Sequence, residues 1–376
     1  MKHFAAAFST LALIACAVAG PRPGTPAPSA AAPPTDITQM NMSQAMHASG
    51  ADRPSWEITA SGETTYTDAE GHRIPERVLV DPPRDAAFPA ANRQLLIPSH
   101  GAQMNALFFL AAGAGPHPTM LLLHGLPGNE RNLDLAQAVR RAGWNVLTFT
   151  YRGAWGSEGD FSIRNAIDDA QAALRFLRSP ATVAAYHVDN SRIVVAGHSM
   201  GGLAAAIAAT GGQADDDSTR VLARPAGVIL IDAWNAGATA AEASAAGAGG
   251  RSGLVAGFDD FGRALHGATP ESTADEILAG GARWNLIARA RDLARMPVLM
   301  VYATHGIAGQ NRALRSAIAA ACPRPTPVPP DSRQGCGGDL AWDEIDTDHA
   351  FADHRMALAG DVVAWLKWLE ARQHRE

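Results

Sequence analysis

Between Thr119 and Asp346 the chain repeats a strand-like run six times: "TMLLLHG", "NVLTFTY", "RIVVAGH", "GVILIDA", "PVLMVYA" and "LAWDEID". Most of these runs are apolar throughout rather than alternating. A strand of that kind needs cover on both faces, which is the habit of parallel sheets. Between most of them lie Ala/Leu-rich stretches of helical character, such as "NLDLAQAVRRAG" and "IDDAQAALRFLRS". Strands that alternate with helices fold as α/β, with a mostly parallel sheet and helices on both faces. Ahead of them "RQLLIP" and "MNALFFL", separated by "SHGAQ", read as an antiparallel pair. The longest interval, Ala233 to Met296, is too long for a simple crossover. It holds the helical "TPESTADEILAGGARWNLIARARDLA" and is read as a cap above the sheet, at about 233–296. Trp234, Phe258, Phe261 and Trp284 either line a substrate cavity under this cap or pack the cap's own core.

The beginning of the chain has a different character. Lys2 precedes an apolar stretch, Phe4 to Ala15, that is too short to span a bilayer comfortably. Residues 1–19 therefore read as an export signal. Leu13-Ile14-Ala15-Cys16 resembles the lipobox of bacterial lipoproteins and makes Cys16 a lipidation site, whereas Ala17-Val18-Ala19 offers ordinary signal-peptide cleavage. Either reading sends the protein out of the cytoplasm, into the periplasm or onto a membrane through a lipid anchor. Residues 20–55, rich in Pro and Ala, read as a tether. Residues 56–91 read as a loose N-terminal extension, and 92–376 as the main domain. In an oxidising compartment Cys322 and Cys336 are free to pair across the Pro-rich segment between them, or to remain two thiols. A bridge closing such a loop contributes about 3 kcal/mol in the chain-entropy model.

The chemistry concentrates in a few places. In "RIVVAGHSMGGLAAAIAA" the pentad Gly197-His198-Ser199-Met200-Gly201 separates a β-branched strand from a helix former. A serine on so sharp a strand-to-helix turn has its hydroxyl raised above the sheet edge, beside the free N–H groups of a helix N-terminus. Ser199 is the candidate nucleophile. No Lys follows to make a phosphate-binding loop. "LLLHGLPG" supplies a flexible turn after an earlier strand, and its Leu126 N–H together with that of Met200 forms the candidate oxyanion hole. His124 in that turn is read as a buried residue that shapes the loop. After the last strand, "EIDTDHAFADHR" offers His349 in the loop and His354 at the start of a helix, and His349 is the candidate base. His and Cys do not cluster with metal-ligand spacing, so no metal or organic cofactor is implied. A net charge of -6 and a pI near 6.1 leave no basic stripe for nucleic acid.

"HGLPG", "YRGAWGSEGDFS", "GHSMGG" and "TDHAF", in this order, resemble the α/β-hydrolase superfamily, most of all bacterial serine esterases and prolyl-oligopeptidase-like enzymes. The resemblance implies an eight-stranded, mostly parallel sheet, a cap after the sixth strand and a Ser-acid-His triad. Two departures stand out. Prolyl-oligopeptidase-like enzymes carry a Tyr where this chain has Leu126. The usual acid follows the seventh strand, yet no Asp or Glu occurs from Leu293 through Pro330. Sites in such sheets lie at the carboxyl ends of the strands. Asp331 and Asp339 precede the eighth strand and fall at the wrong edge. Asp232, after the sixth strand, is at the right edge, where a minority of the superfamily place the acid. Asp346 would have to fold back on its own loop; the remaining alternative is a Ser-His dyad oriented by His305 or water. The expected function is an exported serine hydrolase of small carboxylic esters. A peptidase or amidase of the same fold, or a binding protein that has lost its acid, are the alternatives.

Overall fold

The computed structural model describes residues 55–58, 64–212, 224–259, 264–322, 334–336 and 339–373. The export-signal, lipidation and most of the tether expectations, Cys16 included, lie outside the described residues, as do Phe261 and Asp331. Strands β1 (Ser55–Ile58), β2 (Thr64–Thr67) and β3 (Arg73–Pro75) form a small antiparallel sheet. The main sheet contains β4 (Ala91–Ser99), β5 (Ala102–Leu110), β6 (His117–Leu123), β7 (Asn145–Phe149), β8 (Val188–His198), β9 (Gly227–Ile231), β10 (Val298–Ala303), β11 (Gln334–Gly335) and β12 (Leu340–Ile345). Its order is β11-β12-β10-β9-β8-β6-β7-β5-β4. From β7 to β12 every neighbour is parallel, while β4, β5 and the two-residue β11 are antiparallel additions at the edges. The eight expected strands are all present, and β11 adds a short ninth.

Burial explains the order. Every residue of β7, β9 and β10 is buried, as their unbroken apolar sequences require, whereas β5 alternates buried and exposed positions over its first half. Helices α3 (Ile163–Arg178), α5 (Met200–Ala209) and α10 (Ala308–Ala320) cover one face; α2 (Leu133–Arg141) and α11 (Arg355–Gln373) cover the other. The sequence of α5, "MGGLAAAIAA", is apolar all round, and all ten of its residues are buried. Among the described residues no helix is long and apolar enough to cross a membrane.

Residues 64–80 are not the loose extension expected from their polarity. Ile74 of β3 and Val78 of the short helix α1 (Glu76–Leu79) are 2 % and 1 % exposed, and β3 packs on α11. Gly360 permits this contact, because a Cβ there would come within 3.0 Å of the Arg73 carbonyl oxygen. Beyond α10, Cys322 and Cys336 sit at disulfide distance, their Cα atoms 5.2 Å apart.

The cap lies between β9 and β10. It is built of α6 (Ala236–Ala245), α7 (Ala248–Gly257), α8 (Pro270–Gly280), two 3-10 turns and α9 (Ala290–Leu293). Its helices are signed in the sequence: Asn235 accepts from Ala238 N–H, and Thr269 with Ser272 makes a capping box ahead of Pro270. The cap is fastened to the loop after β7 by main-chain bonds from His266 N–H to Gly153 O (2.7 Å) and from Phe161 N–H to His266 O (2.8 Å). Glu276 of α8 also accepts from the Ile163 and Arg164 N–H groups, both at 2.9 Å, and so caps α3 from outside. A carboxylate at that position satisfies two orphan donors and meets the positive end of the helix dipole. Glu276→Ala should therefore cost about 1 kcal/mol in urea unfolding and expose the cap to earlier proteolysis. An unchanged midpoint would show that water replaces the carboxylate without loss.

Candidate active site

Strand β8 ends at His198 and α5 begins at Met200, so Ser199 makes the whole turn by itself. Its backbone has φ 55° and ψ -119°, a region that costs a non-glycine residue about 1–3 kcal/mol. The flanking glycines are steric necessities. A Cβ on Gly197 would lie 2.0 Å from Gly201 O, and one on Gly201 would lie 2.2 Å from Leu123 O. Helix α5 thus starts with its backbone pressed on the ends of β6 and β8. Gly202 and Leu203 N–H groups bond to Ser199 O, while the Met200 N–H has no partner among the described residues.

The turn after β6 meets the same point. Gly125 has room for no side chain, since its Cβ would come within 3.0 Å of Ser199 Cβ. His124 is 1 % exposed, and its Nδ1–H donates to Gly125 O at 2.7 Å. Burial lowers its pKa to about 4, so it stays neutral and acts as the loop-shaping residue expected. Tyr151 donates to the His124 carbonyl at 3.1 Å. Leu126 is half-buried, and its N–H has no partner among the described residues. Between Leu126 and the cap's Phe258, Leu265 and Thr273 is a cleft of about 10 Å³, room for roughly one water. Trp234 and Trp284 are buried members of the main core cluster.

Of the acids weighed from the sequence that fall among the described residues, Asp232 is the one in contact with His349: His349 Nδ1 lies 2.6 Å from Asp232 Oδ2. Asp232 is fully buried, with φ 35°. Its carboxylate reaches across to the end of β10, where Ile307 N–H donates to Oδ2 (3.2 Å) and the Asn311 side-chain amide donates to Oδ1 (3.1 Å). Gly306 makes this possible, because a Cβ there would fall 2.0 Å from Asp232 Oδ2. The position after the seventh strand that lacks an acid is thus filled by the acid of its neighbour, seated at the N-terminus of α10. His305 does not orient His349; its Nε2 lies 2.9 Å from Asp346. Asp339 pairs with Arg372.

Residues 120–364 match the model of the alpha/beta hydrolase family. The chain belongs to that family. Among curated proteins the chain is 28 % identical over 148 residues to an uncharacterised protein of Mycobacterium tuberculosis, covering 38 % of this chain and 50 % of that one. It is 34 % identical over 111 residues to the alpha/beta hydrolase domain-containing protein WAV2 of Arabidopsis thaliana, covering 29 % and 34 %. The chain thus spans no more than half the length of these relatives. Among solved structures it is similar to an esterase of Pyrobaculum calidifontis (TM-score 0.53, 17 % identity, 76 % of this chain and 88 % of that). It is likewise similar to brefeldin A esterase, described as a bacterial homologue of human hormone sensitive lipase (TM-score 0.51, 19 % identity, 79 % and 81 %). At such identities these structures speak for the fold.

Two further histidines hold the His349 loop, and neither was assigned this task from the sequence. His198 is 5 % exposed, its Nε2–H donates to His349 O at 2.8 Å, and the two rings lie 4.6 Å apart. Burial, then the neighbouring His349, lowers its pKa to about 3, which keeps it a neutral donor. The only sequence signal was its place beside Ser199 at the strand end. His354 ties the same loop from outside. Its Nδ1 lies 2.9 Å from Asp353 and its Nε2 2.5 Å from Glu70, on the turn before β3, while Asp353 also accepts from Thr347. The bonds to Asp353 and Glu70 raise the His354 pKa above 6.5. With the folded pKa raised, this clamp contributes fully below about pH 6.5 and is lost as pH rises through the folded value. His354→Gln should accordingly lower Tm more at about pH 5.5 than at about pH 9. An equal loss at both pH values would mean that charge on His354 plays no part.

Proposed function

We propose that this hydrolase is an exported serine enzyme that cleaves small carboxylic esters through an acyl-enzyme. The observation that carries the reading is the 2.6 Å contact between His349 Nδ1 and the buried Asp232 carboxylate. A carboxylate there holds the imidazole in the tautomer with its proton on Nδ1, leaving Nε2 as the base. Ser199 Oγ attacks the ester carbonyl carbon as Nε2 takes its proton. The oxyanion is met by the Leu126 and Met200 N–H groups, and collapse expels the alcohol, which receives the proton from His349. Water, deprotonated by His349, then releases the acid and restores Ser199.

The strained turn at Ser199 supports this assignment, since strain of that kind is retained where geometry serves a site. The reading as a binding protein rested on the absent acid, and the contact of Asp232 with His349 weighs in favour of the enzyme. Amide cleavage would use the same groups, and turnover of matched ester and amide substrates separates the two. Export, with Cys16 lipidated or residues 1–19 removed, remains part of the proposal; the disulfide-distance cysteines fit an oxidising compartment. Mass spectrometry of the secreted N-terminus distinguishes a lipidated Cys16 from cleavage after Ala19.

A fluorophosphonate probe tests the machinery without knowledge of the substrate. Wild type should label rapidly and Ser199→Ala not at all. Asp232→Asn should slow labelling by about four orders of magnitude, the size of effect expected when a triad acid no longer holds the histidine tautomer. Folded wild type that resists the probe would overturn the catalytic reading, and labelling indifferent to Asp232→Asn would remove Asp232 from it.

A further inference from the structure

Away from these residues the protein has a second cavity, of about 520 Å³, where β4, β5 and β7 meet the segment that follows the β6 turn. Neither Ser199, Asp232 nor His349 lines it. Its apolar walls include Leu96, Leu107 and Trp155, and two of these are unusually open for their size, Leu96 at 55 % exposure and Trp155 at 45 %. Among its polar residues Thr150 is already bonded to Ser157 at 2.8 Å. Thr148, opposite Leu107 in the β5–β7 register, is 3 % exposed, and its hydroxyl has no hydrogen-bond partner. Arg131, exposed at the cavity, forms no hydrogen bond or ion pair among the described residues.

We propose that this cavity is a binding site for an amphipathic monocarboxylate, a fatty acid in chemical class. The lining contains one cation, Arg131, and no carboxylate, so a single negative charge is what it complements. A guanidinium matches the two oxygens of a carboxylate in a forked pair. Leu96, Leu107 and Trp155 take the apolar chain, which gains from leaving water. A volume of this order suits a small organic molecule. The site also touches the catalytic region mechanically: the Trp155 indole N–H donates to Pro127 O at 2.7 Å, next to Leu126. A chain lying on Trp155 therefore rests on the side chain that steadies the candidate oxyanion loop. Binding here is independent of ester cleavage, and its test needs no turnover.

The test is titration of the purified protein with decanoate below its micelle concentration, followed by calorimetry and by tryptophan fluorescence, with decanol as the uncharged control. Saturable decanoate binding, with decanol weaker, is expected. Arg131→Ala should weaken it by about ten- to a hundredfold and Arg131→Lys by less. Trp155→Phe should remove the fluorescence change while circular dichroism shows the fold intact. No saturable binding by folded wild type would overturn the site. So would binding that is indifferent to Arg131→Ala, or a fluorescence change that survives Trp155→Phe, since either places the fatty acid elsewhere.

Discussion

Backbone rests directly on backbone where α5 leaves the sheet. Gly197 faces Gly201 O, and Gly201 faces the Leu123 carbonyl, each at a distance that no Cβ would tolerate. The remainder of the site depends on this close approach. It forces the chain to reverse direction at a single residue, so Ser199 takes a positive φ, and it brings the β6 turn so near that Gly125 abuts Ser199 Cβ. A helix with larger side chains on its sheet-facing surface would stand further off, the turn would relax, and the Leu126 and Ser199 segments would separate. The Ala/Gly composition of α5 is thus a packing requirement with a chemical consequence.

The position of the acid follows a similar steric logic. Asp232 follows β9, one strand away from the usual place, yet its carboxylate lies at the end of β10 because Gly306 leaves that space empty. Ile307 N–H and Asn311 hold it from the first turn of α10, where the helix dipole favours negative charge. Burying a carboxylate without such partners would be costly. With three donors converging on it, counting His349, the charge is compensated in place. His198 and His354 then hold the backbone of the His349 loop from two sides, one neutral and buried, the other clamped between carboxylates.

Local signals carried the sequence reading a long way. Unbroken apolar runs marked the buried parallel strands, because a strand covered on both faces has no solvent side to alternate toward. The G-x-S-x-G spacing and the late histidine made Ser199 and His349 the candidates, and the strand edge, the place of Asp346 within the histidine's own loop and the habit of a minority of the superfamily together favoured Asp232 over the other acids. Residues 64–80 were misread as loose because their burial is conferred by α11, some 280 residues later, and not by any apolar period of their own. His198, Gly306 and Asn311 escaped notice for a related reason: each acts on a partner brought to it only by the folded sheet, His198 on a residue 151 positions away.

By itself the sequence determined the order of strands and helices, the sharp turn at Ser199 and the candidates for base and acid. Those depend on periodicity, residue size and strand ends, which are local properties of the chain. Only the tertiary structure decided that Asp232 touches His349 across 117 residues, that Gly306 makes room for it, and that Arg131, Thr148 and Trp155 share one cavity. Contacts of that range are set by how strands register and helices pack, and no stretch of sequence read alone contains both halves of the pair.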